Sequence, residues 1–496
     1  MEVCPFRGIR YNEGIIGDLA PIICPPYDII TPEQRRIYYE KSDYNAIRLE
    51  YPLTLIADSG QQSAYSRAAI TLQQWLKQGT LQVDRVPSFY LHDHHFDYLG
   101  SKRVRRGLIA RVKLEPWGNG IYPHEETFPK AKDDRLQLMR ACQANFSPLF
   151  SLYQDPEQKI ASLLAEASQV KPIIETSVPS PLMGEGQGEG GESHIVWAIT
   201  DSNLIRQIKR FLAAQPLYMA DGHHRYETAL AYQQEYVRRA NTIGRFAKGK
   251  NKGVILSNSI RYLPLGNKSI EFAPKAQYVM MELVEFSDPG LVILPLHRLV
   301  HGVAPPTLAG IKEQLEDFFT LEFVPLTEVL SYHYGPFASC HSEPFTSCHS
   351  ERSEESHIAQ DMVLGILGLD PQSLVIVKQR EDMPIEAMMP SNRSQVYKSL
   401  NVSILDHIIL ERILGFSHHC RSGALAPEEE NIAYTVDIDE AYQQIKGGEY
   451  QLAFLLNPLQ PEMVKAVADA KDRMPRKSTY FYPKLPTGLI INSLSF

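Results

Sequence analysis

Cysteine, positive charge and long apolar runs are all scarce in this chain of 496 residues. Six cysteines at this length do not make the disulfide framework that staples small secreted domains. Fifty lysines and arginines stand against 58 aspartates and glutamates, a formal net charge of −8, which argues against a basic groove gripping a nucleic-acid backbone. A helix-turn-helix with a Lys/Arg-rich recognition helix is also missing, so no nucleic-acid partner is expected. No apolar run approaches the roughly 20 residues that cross a bilayer. The opening Met1-Glu-Val-Cys-Pro-Phe-Arg7 lacks the apolar stretch of a signal peptide. The expectation is a cytoplasmic protein with no membrane partner; its oligomeric state is not written in the sequence. The phosphate loop Gly-x-x-x-x-Gly-Lys-Ser/Thr and a complete His-Glu-x-x-His zinc site are absent, which removes the common ATPase and metalloprotease templates.

What is present is apolar enough, at 44 % hydrophobic residues, for two or more buried cores. Two stretches stand apart. Val178 to Glu192 alternates glycine with glutamate, can bury nothing, and reads as a flexible insert. Pro336 to His357 contains a tandem repeat, Pro336-Phe-Ala-Ser-Cys-His-Ser-Glu343 followed by Pro344-Phe-Thr-Ser-Cys-His-Ser-Glu351. Its Cys-His doublets invite a zinc reading, but their spacing fits no common finger and a disordered insert is the better one. The chain therefore divides into an N-terminal α/β part (1–177), a low-complexity insert (178–193) and a C-terminal α/β part (194–496) interrupted at 336–357.

Periodicity supplies the elements. Thr31-Pro32-Glu33-Gln34 is a capped helix start, and Gln61 to Gln78 ends at Gly79 with helical spacing. Ser88 to Tyr98 and Arg106 to Leu114 read as paired strands around Gly100, and Lys132 to Gln143 as a helix. Beyond the first insert, His194–Ile199 is a strand, Asn203–Ala214 a helix and Leu217–Ala220 a short strand leading into a long helix. Later strands are expected at Tyr278–Phe286, Val292–Leu296, Val363–Leu369 and Ser373–Val377. Helices are expected at Ile311–Phe319, Ser403–Leu414 and Met463–Lys471. The mixture predicts an α+β (mixed α/β) protein of two domains.

The most informative segment is Tyr218-Met-Ala-Asp-Gly-His-His-Arg-Tyr-Glu-Thr-Ala-Leu230. Asp221 can cap the helix that follows, and Gly222 permits a sharp turn and close approach to a ligand. Bare amides and the helix dipole then form an anion site, and His223, His224 and Arg225 crowd a first turn where cations are unfavourable unless an anion sits there. Arg225 suits bidentate phosphate contact. Phosphate-binding residues are thus Asp221, Gly222, His223, His224 and Arg225, with no metal assigned, because adjacent residues of one helix point in different directions.

Gly222-His-His-Arg-Tyr-Glu-Thr-Ala229 resembles the phosphate-contacting box of the ParB/sulfiredoxin-like superfamily. The sulfiredoxin cysteine is replaced by His223, so sulfinic-acid repair through that thiol is excluded. The resemblance implies a box that holds nucleotide phosphates, as in a free-serine kinase of the same superfamily. A second resemblance covers nearly the whole chain outside the inserts. Pro5-Phe-Arg-Gly-Ile-Arg10, Cys24-Pro-Pro-Tyr-Asp28, Tyr122-Pro-His-Glu125, Ala220 to Ala229 and Lys477-Ser-Thr-Tyr-Phe-Tyr-Pro-Lys-Leu485 look like the bacterial and archaeal family called domain of unknown function 1015. That likeness implies small-metabolite chemistry and a ParB/sulfiredoxin-like element inside a larger two-domain chain.

Other polar clusters fill out the expectation. The rigid loop Cys24–Asp28 can present Asp28 to a substrate. The loop after Tyr122 offers His124 and Glu125 as acid or base. Glu227 lies one turn into the Asp221 helix. These four are the candidate catalytic residues. Lys130, Lys132 and Arg135 could meet phosphate oxygens, though a solvated helix face is the commoner reading of such residues. His92 and His94 share one strand face and His95 the other, half a metal site at most, so surface or cross-strand pairing is expected. Pro295-Leu-His297-Arg298 ends a strand with one more cation for a cleft. Lysines interleaved with aromatics at Lys477–Lys484 suit either nucleotide contact or a half-buried strand. The leading function is a nucleotide-dependent kinase acting on a small hydroxyl (serine-like) metabolite, using ATP or ADP and Mg2+. The alternatives are a ParB-like nucleotide-binding switch and a phosphatase or other hydrolase.

Overall fold

The computed structural model describes residues 1–55, 58, 63–126, 129–179, 191–248, 274–327, 362–416 and 431–495. The repeat at 336–357 and the glycine-glutamate stretch 180–190 lie outside them. The chain forms two compact units. Unit 1 comprises Met1–Ile121, Thr127–Leu291 and Pro483–Phe496, and unit 2 comprises Tyr122–Glu126 and Val292–Tyr482.

Unit 1 is built on a mixed sheet. Its strands include β1 (Val3–Cys4), β2 (Phe89–Tyr98), β3 (Ser101–Lys113), β4 (Leu149–Tyr153), β5 (Ile174–Pro179), β6 (Gly191–Ile199), β7 (Leu217–Asp221) and β8 (Tyr278–Glu285). They run side by side in the order β7-β4-β8-β3-β2-β6-β5, with β1 also on β3. Among the described residues β4 and β8 pair in parallel, while β2–β3, β3–β8, β2–β6, β5–β6 and β4–β7 are antiparallel.

The sheet buries apolar side chains on both of its faces. Leu91, Leu108, Ala110, Val112, Trp197, Met281 and Leu283 face one core. Tyr90, Ile109, Val196 and Met280 face the other with Ile9, Trp75 and Ile490. Each such side chain removed from water contributes about 1.5–3 kcal/mol.

Five helices of unit 1 follow local signals. Helix α1 (Pro32–Lys41) carries the expected capping box between Thr31 and Gln34 with proline at its first position. Helix α2 (Ala64–Gln78) ends at Gly79 in the left-handed region. The others are α3 (Pro129–Cys142), α4 (Ser202–Ala213) and α5 (His223–Lys248). Asp201 caps α4 by accepting from the amides of Asn203 and Leu204, and Leu204, Ile208 and Leu212 form its buried stripe.

Three expectations are corrected here. The division at 178–193 falls inside unit 1, because Pro179 and Gly191 pair across β5 and β6, so the insert interrupts a hairpin. For the same reason Val178, Pro179 and Gly191–Ser193 are strand residues, and the insert is shorter than its composition indicates. His92 and His94 share a face as expected but are fully buried, not on the surface.

Unit 2 holds a six-stranded antiparallel sheet of β9 (His297–Val300), β10 (Phe319–Pro325), β11 (Val363–Asp370), β12 (Ser373–Gln379), β13 (Ile432–Thr435) and β14 (Leu452–Leu455). Its order is β10-β12-β11-β14-β9-β13. Leu299, Leu367, Leu374, Ile376, Ala453 and Leu455 pack with Ala441 of the helix Ile438–Gly447. The helix expected at Ser403–Leu414 begins at Asn401 and widens over Leu405–Ile413, where the Leu414 amide reaches back five residues to the Ile409 carbonyl at 2.9 Å. Arg298 is no cleft cation. It is 1 % exposed and its Nε lies 3.0 Å from Asp406 Oδ1, because β9 is central in its sheet. No helix among the described residues is long and apolar enough to cross a membrane.

Candidate functional site

The turn after β7 is built as the sequence implies, with one change of role. Gly222 has φ +91°, a conformation that L side chains rarely adopt, and a Cβ there would lie 2.7 Å from Leu149 Cδ2. The first bond of α5 runs from the Tyr226 amide to the Gly222 carbonyl at 2.9 Å. Gly222 is therefore the capping position, and Asp221 ends β7 instead of capping α5. Its carboxylate is bound sideways: Oδ1 accepts from Lys484 Nζ at 2.8 Å and Oδ2 from Arg225 Nη2 at 3.2 Å. Burial works against ionisation of Asp221, yet Lys484 and Arg225 outweigh it and hold its pKa down at about 2.

Arg225 is the hub. Its Nη1 donates to Ser147 Oγ at 2.8 Å and to the Pro148 carbonyl at 3.0 Å, while its buried Nε has no hydrogen-bond partner. Burial opposes its charge, but the carboxylates of Asp221, Asp28 and Glu50 keep it a firm cation. Beside it lies a cavity of about 40 Å3 lined by Glu50, Arg135, Phe146, Ser147, Leu149 and Arg225 among others. At roughly 15 Å3 a water, that is room for two or three waters or the oxygens of one oxyanion.

The same cavity is lined by Arg135 and by Glu50, a carboxyl that sequence reasoning overlooked. Glu50 is 4 % exposed, and burial pushes its pKa up against the pull of Arg135 and Arg225. Arg135 Nη1 lies 3.6 Å from Glu50 Oε1 and donates to the Glu50 carbonyl at 2.7 Å. The Arg135 guanidinium stacks 3.9 Å over the Tyr27 ring. Arg135 is thus 5 % exposed, and the solvated face expected for it is corrected: α3 packs between α2 and α5, which buries that side. Lys484 had only the lysine-aromatic motif as a signal. Glu50, in the short helix Ile47–Glu50, had none beyond its apolar neighbours.

The other expected residues fall in two places. Asp28, in the turn Tyr27–Ile29, acts electrostatically on both Arg225 and Glu50. His223 is 8 % exposed, packs its ring 6.1 Å from Trp117 and helps hold Asp221 ionised. The His224 carbonyl accepts from Thr228 Oγ1 at 2.9 Å. Glu227 accepts from Trp117 Nε1 at 3.2 Å and pairs with Lys132. His124 and Glu125 belong to unit 2. There His124 Nε2 meets Thr479 Oγ1 at 3.0 Å, and Glu125 Oε1 accepts from the Lys477 amide at 2.8 Å.

Comparison with known families decides the grouping: the model described as a protein of unknown function (DUF1015) matches residues 3–403. The chain belongs to the DUF1015 family. Among solved structures, this DUF1015 chain is similar to a conserved hypothetical protein from Pyrococcus furiosus at 11 % identity and TM-score 0.30, covering 77 % of this chain and 95 % of that one. A free serine kinase in complex with AMP is similar at 10 % identity and TM-score 0.30, over 77 % and 88 % of the two chains. SbnI with a C-terminal truncation, from Staphylococcus aureus, is similar at 11 % and TM-score 0.28, over 77 % and 87 %. A comparison with functionally curated proteins found no match.

Proposed function

We propose that this DUF1015 protein is a phosphotransferase, binding the phosphate end of a nucleotide (ATP or ADP) at the Gly222–Arg225 turn and passing a phosphoryl group to a small hydroxyl metabolite. The observation that carries the reading is the Arg225 guanidinium: buried, firmly charged, beside a small cavity, with its Nε unpartnered. A buried donor without an acceptor costs about 1–3 kcal/mol, and an anion oxygen is what would recover it. The residues fit such a group, since Gly222 clears the approach and the start of α5 adds amides and dipole. The cavity's size supports enclosure of the phosphate alone, with the nucleoside outside it.

The chain's own groups then take distinct roles. Arg225 and Lys484 neutralise charge on the transferred group, which is the main protein contribution in phosphoryl transfer. Asp221, held near pKa 2, is too weak a base to take a proton from a hydroxyl and serves instead to place both cations. Glu50 is the better base: its raised pKa and its place in the cavity lining let it accept the hydroxyl proton. Asp28 is the carboxylate that would hold Mg2+, which would supply positive charge to the phosphate when bound.

Calorimetry with Mg-ATP, Mg-ADP and inorganic phosphate tests the reading. The wild type is expected to bind a nucleotide, Arg225→Ala to lose about tenfold or more in affinity, and Glu50→Gln to bind normally but lose turnover. A wild type that binds neither nucleotide nor phosphate removes the proposal.

A further inference from the structure

A second polar cluster lies in the same sheet. β2 and β6 place His94 directly opposite His194, and β2 and β3 place His94 opposite Arg105 and His92 opposite Gly107. Two-residue alternation adds Glu192 on β6 and Glu282 on β8 to the same face. All are buried: His92, His94, Arg105 and Glu282 are 0 % exposed, His194 1 % and Glu192 5 %. Gly107 is required there, because a Cβ would overlap the Glu282 carboxylate.

The hydrogen bonds fix the tautomers. Both oxygens of Glu282 face His92 Nδ1 at 3.0 and 3.1 Å, so Nδ1 is the donor. His92 Nε2 lies 3.1 Å from His194 Nδ1; with His194 donating there, the lone pair of His194 stands on Nε2. An arginine can only donate, so Arg105 Nη2, at 3.1 Å from His94 Nδ1, puts the His94 proton on Nε2, which faces Glu192 Oε2 at 2.8 Å. The bonded cluster joins the side chains of two glutamates and one arginine to three imidazoles inside the protein. Thr176, opposite His194 on β5, adds a buried Oγ1 with no hydrogen-bond partner.

We infer that His94, His194 and Glu192 form a divalent metal site of the zinc type. Their ligand atoms lie within 4.8 Å of one another, close enough to converge on one ion with small side-chain movements. His194 offers Nε2 with its other nitrogen held by His92 and, behind it, Glu282, the outer-shell arrangement that orients metal-bound imidazoles. An ion that binds His94 through Nε2 takes the tautomer with its proton on Nδ1: the Nε2 proton leaves to solvent, Nδ1 takes one up, and Arg105 Nη2 turns away from Nδ1. Two imidazoles and one carboxylate leave a fourth position on the ion. The site is independent of the phosphotransferase reading, although the chain links the two: Arg105 Nη1 donates to the Pro483 carbonyl at 2.7 Å, next to the Lys484 that holds Asp221.

The test is metal analysis of the full chain as purified, then stripped with a chelator and reloaded with Zn2+ or with Co2+ as a spectroscopic probe. One equivalent of metal in the wild type is expected, with Co2+ giving the intense visible bands of a four-coordinate ion. Glu192→Gln and His194→Gln should lose it, Glu282→Gln should weaken it about 10–100-fold, and His301→Gln in unit 2 should leave it intact. Circular dichroism separates lost ligands from a lost fold, and zinc should raise the wild-type melting temperature but not that of Glu192→Gln. Folded wild type that takes up no stoichiometric Zn2+ or Co2+, or equal retention by Glu192→Gln and His194→Gln, overturns the site. Neither result bears on nucleotide binding.

Discussion

Asp221 does at residue scale what an absent anion would otherwise have to do: it keeps two buried cations, Lys484 and Arg225, in place. Their side chains are only 9 % and 11 % exposed, so neither can turn to water for compensation. A carboxylate whose folded pKa lies at about 2 rather than 3.8 stabilises the fold at every pH above about 4, and that contribution is lost as pH falls through 2. The shift amounts to about 2 kcal/mol. Urea denaturation of the wild type should show this loss between about pH 4 and pH 2, and Asp221→Asn should not. At neutral pH the variant should be destabilised by about 2–4 kcal/mol, because two desolvated cations lose their carboxylate. A variant with the wild-type acid slope would show that Asp221 is not the group responsible.

At the scale of elements, the chain's local chemistry was legible where it is self-contained. The Thr31–Gln34 box, the Gly79 stop, the Leu204/Ile208/Leu212 stripe and the β2–β3 hairpin all follow from neighbours in sequence. So did the left-handed Gly222 at the start of α5. Illegible were the groups that meet across strands. Nothing near Glu50 announces that Arg135, 85 residues on, will share its cavity, and nothing near His94 announces His194. Composition also misled at 178–193, since glycine and glutamate in a hairpin's ends look the same as in a linker. Gly222 itself can be tested. Gly222→Ala puts a Cβ 2.7 Å from Leu149 Cδ2 and forces alanine to φ +91°, which should cost about 1–3 kcal/mol. The strain falls on the first turn of α5, so nucleotide affinity should drop while Gly79→Ala, at another left-handed glycine whose Cβ would meet Ile15 Cδ1 at an ordinary 3.7 Å, costs stability alone. Unchanged affinity in a folded Gly222→Ala would disconnect the turn from binding.

For the whole molecule, each unit carries a buried group that titrates between pH 4 and 6.5, and the two slopes oppose one another. In unit 1, burial lifts Asp288 to about 6 even though it accepts from the amides of Gly290 and Arg106. Folding then takes up a proton, so this residue's contribution falls as pH rises from about 4 to 6. In unit 2, burial lowers His297 to about 4, where its Nδ1 accepts from the Leu456 amide at 3.1 Å. The unfolded chain binds the extra proton there, so stability rises between about pH 4 and 6.5. Each shift is worth about 3 kcal/mol, so these two contributions nearly cancel one another across this range. Asp288→Asn should make stability climb more steeply from pH 4 to 6.5, by about 3 kcal/mol, and His297→Asn, which keeps an acceptor for Leu456, should flatten or reverse the climb by a similar amount. The double variant should return to the wild-type slope, because groups in separate compact units add without coupling. Chemical denaturation of the four proteins at the two pH values measures all three differences, and single variants that both keep the wild-type slope would remove burial of these two groups as the source of the pH dependence.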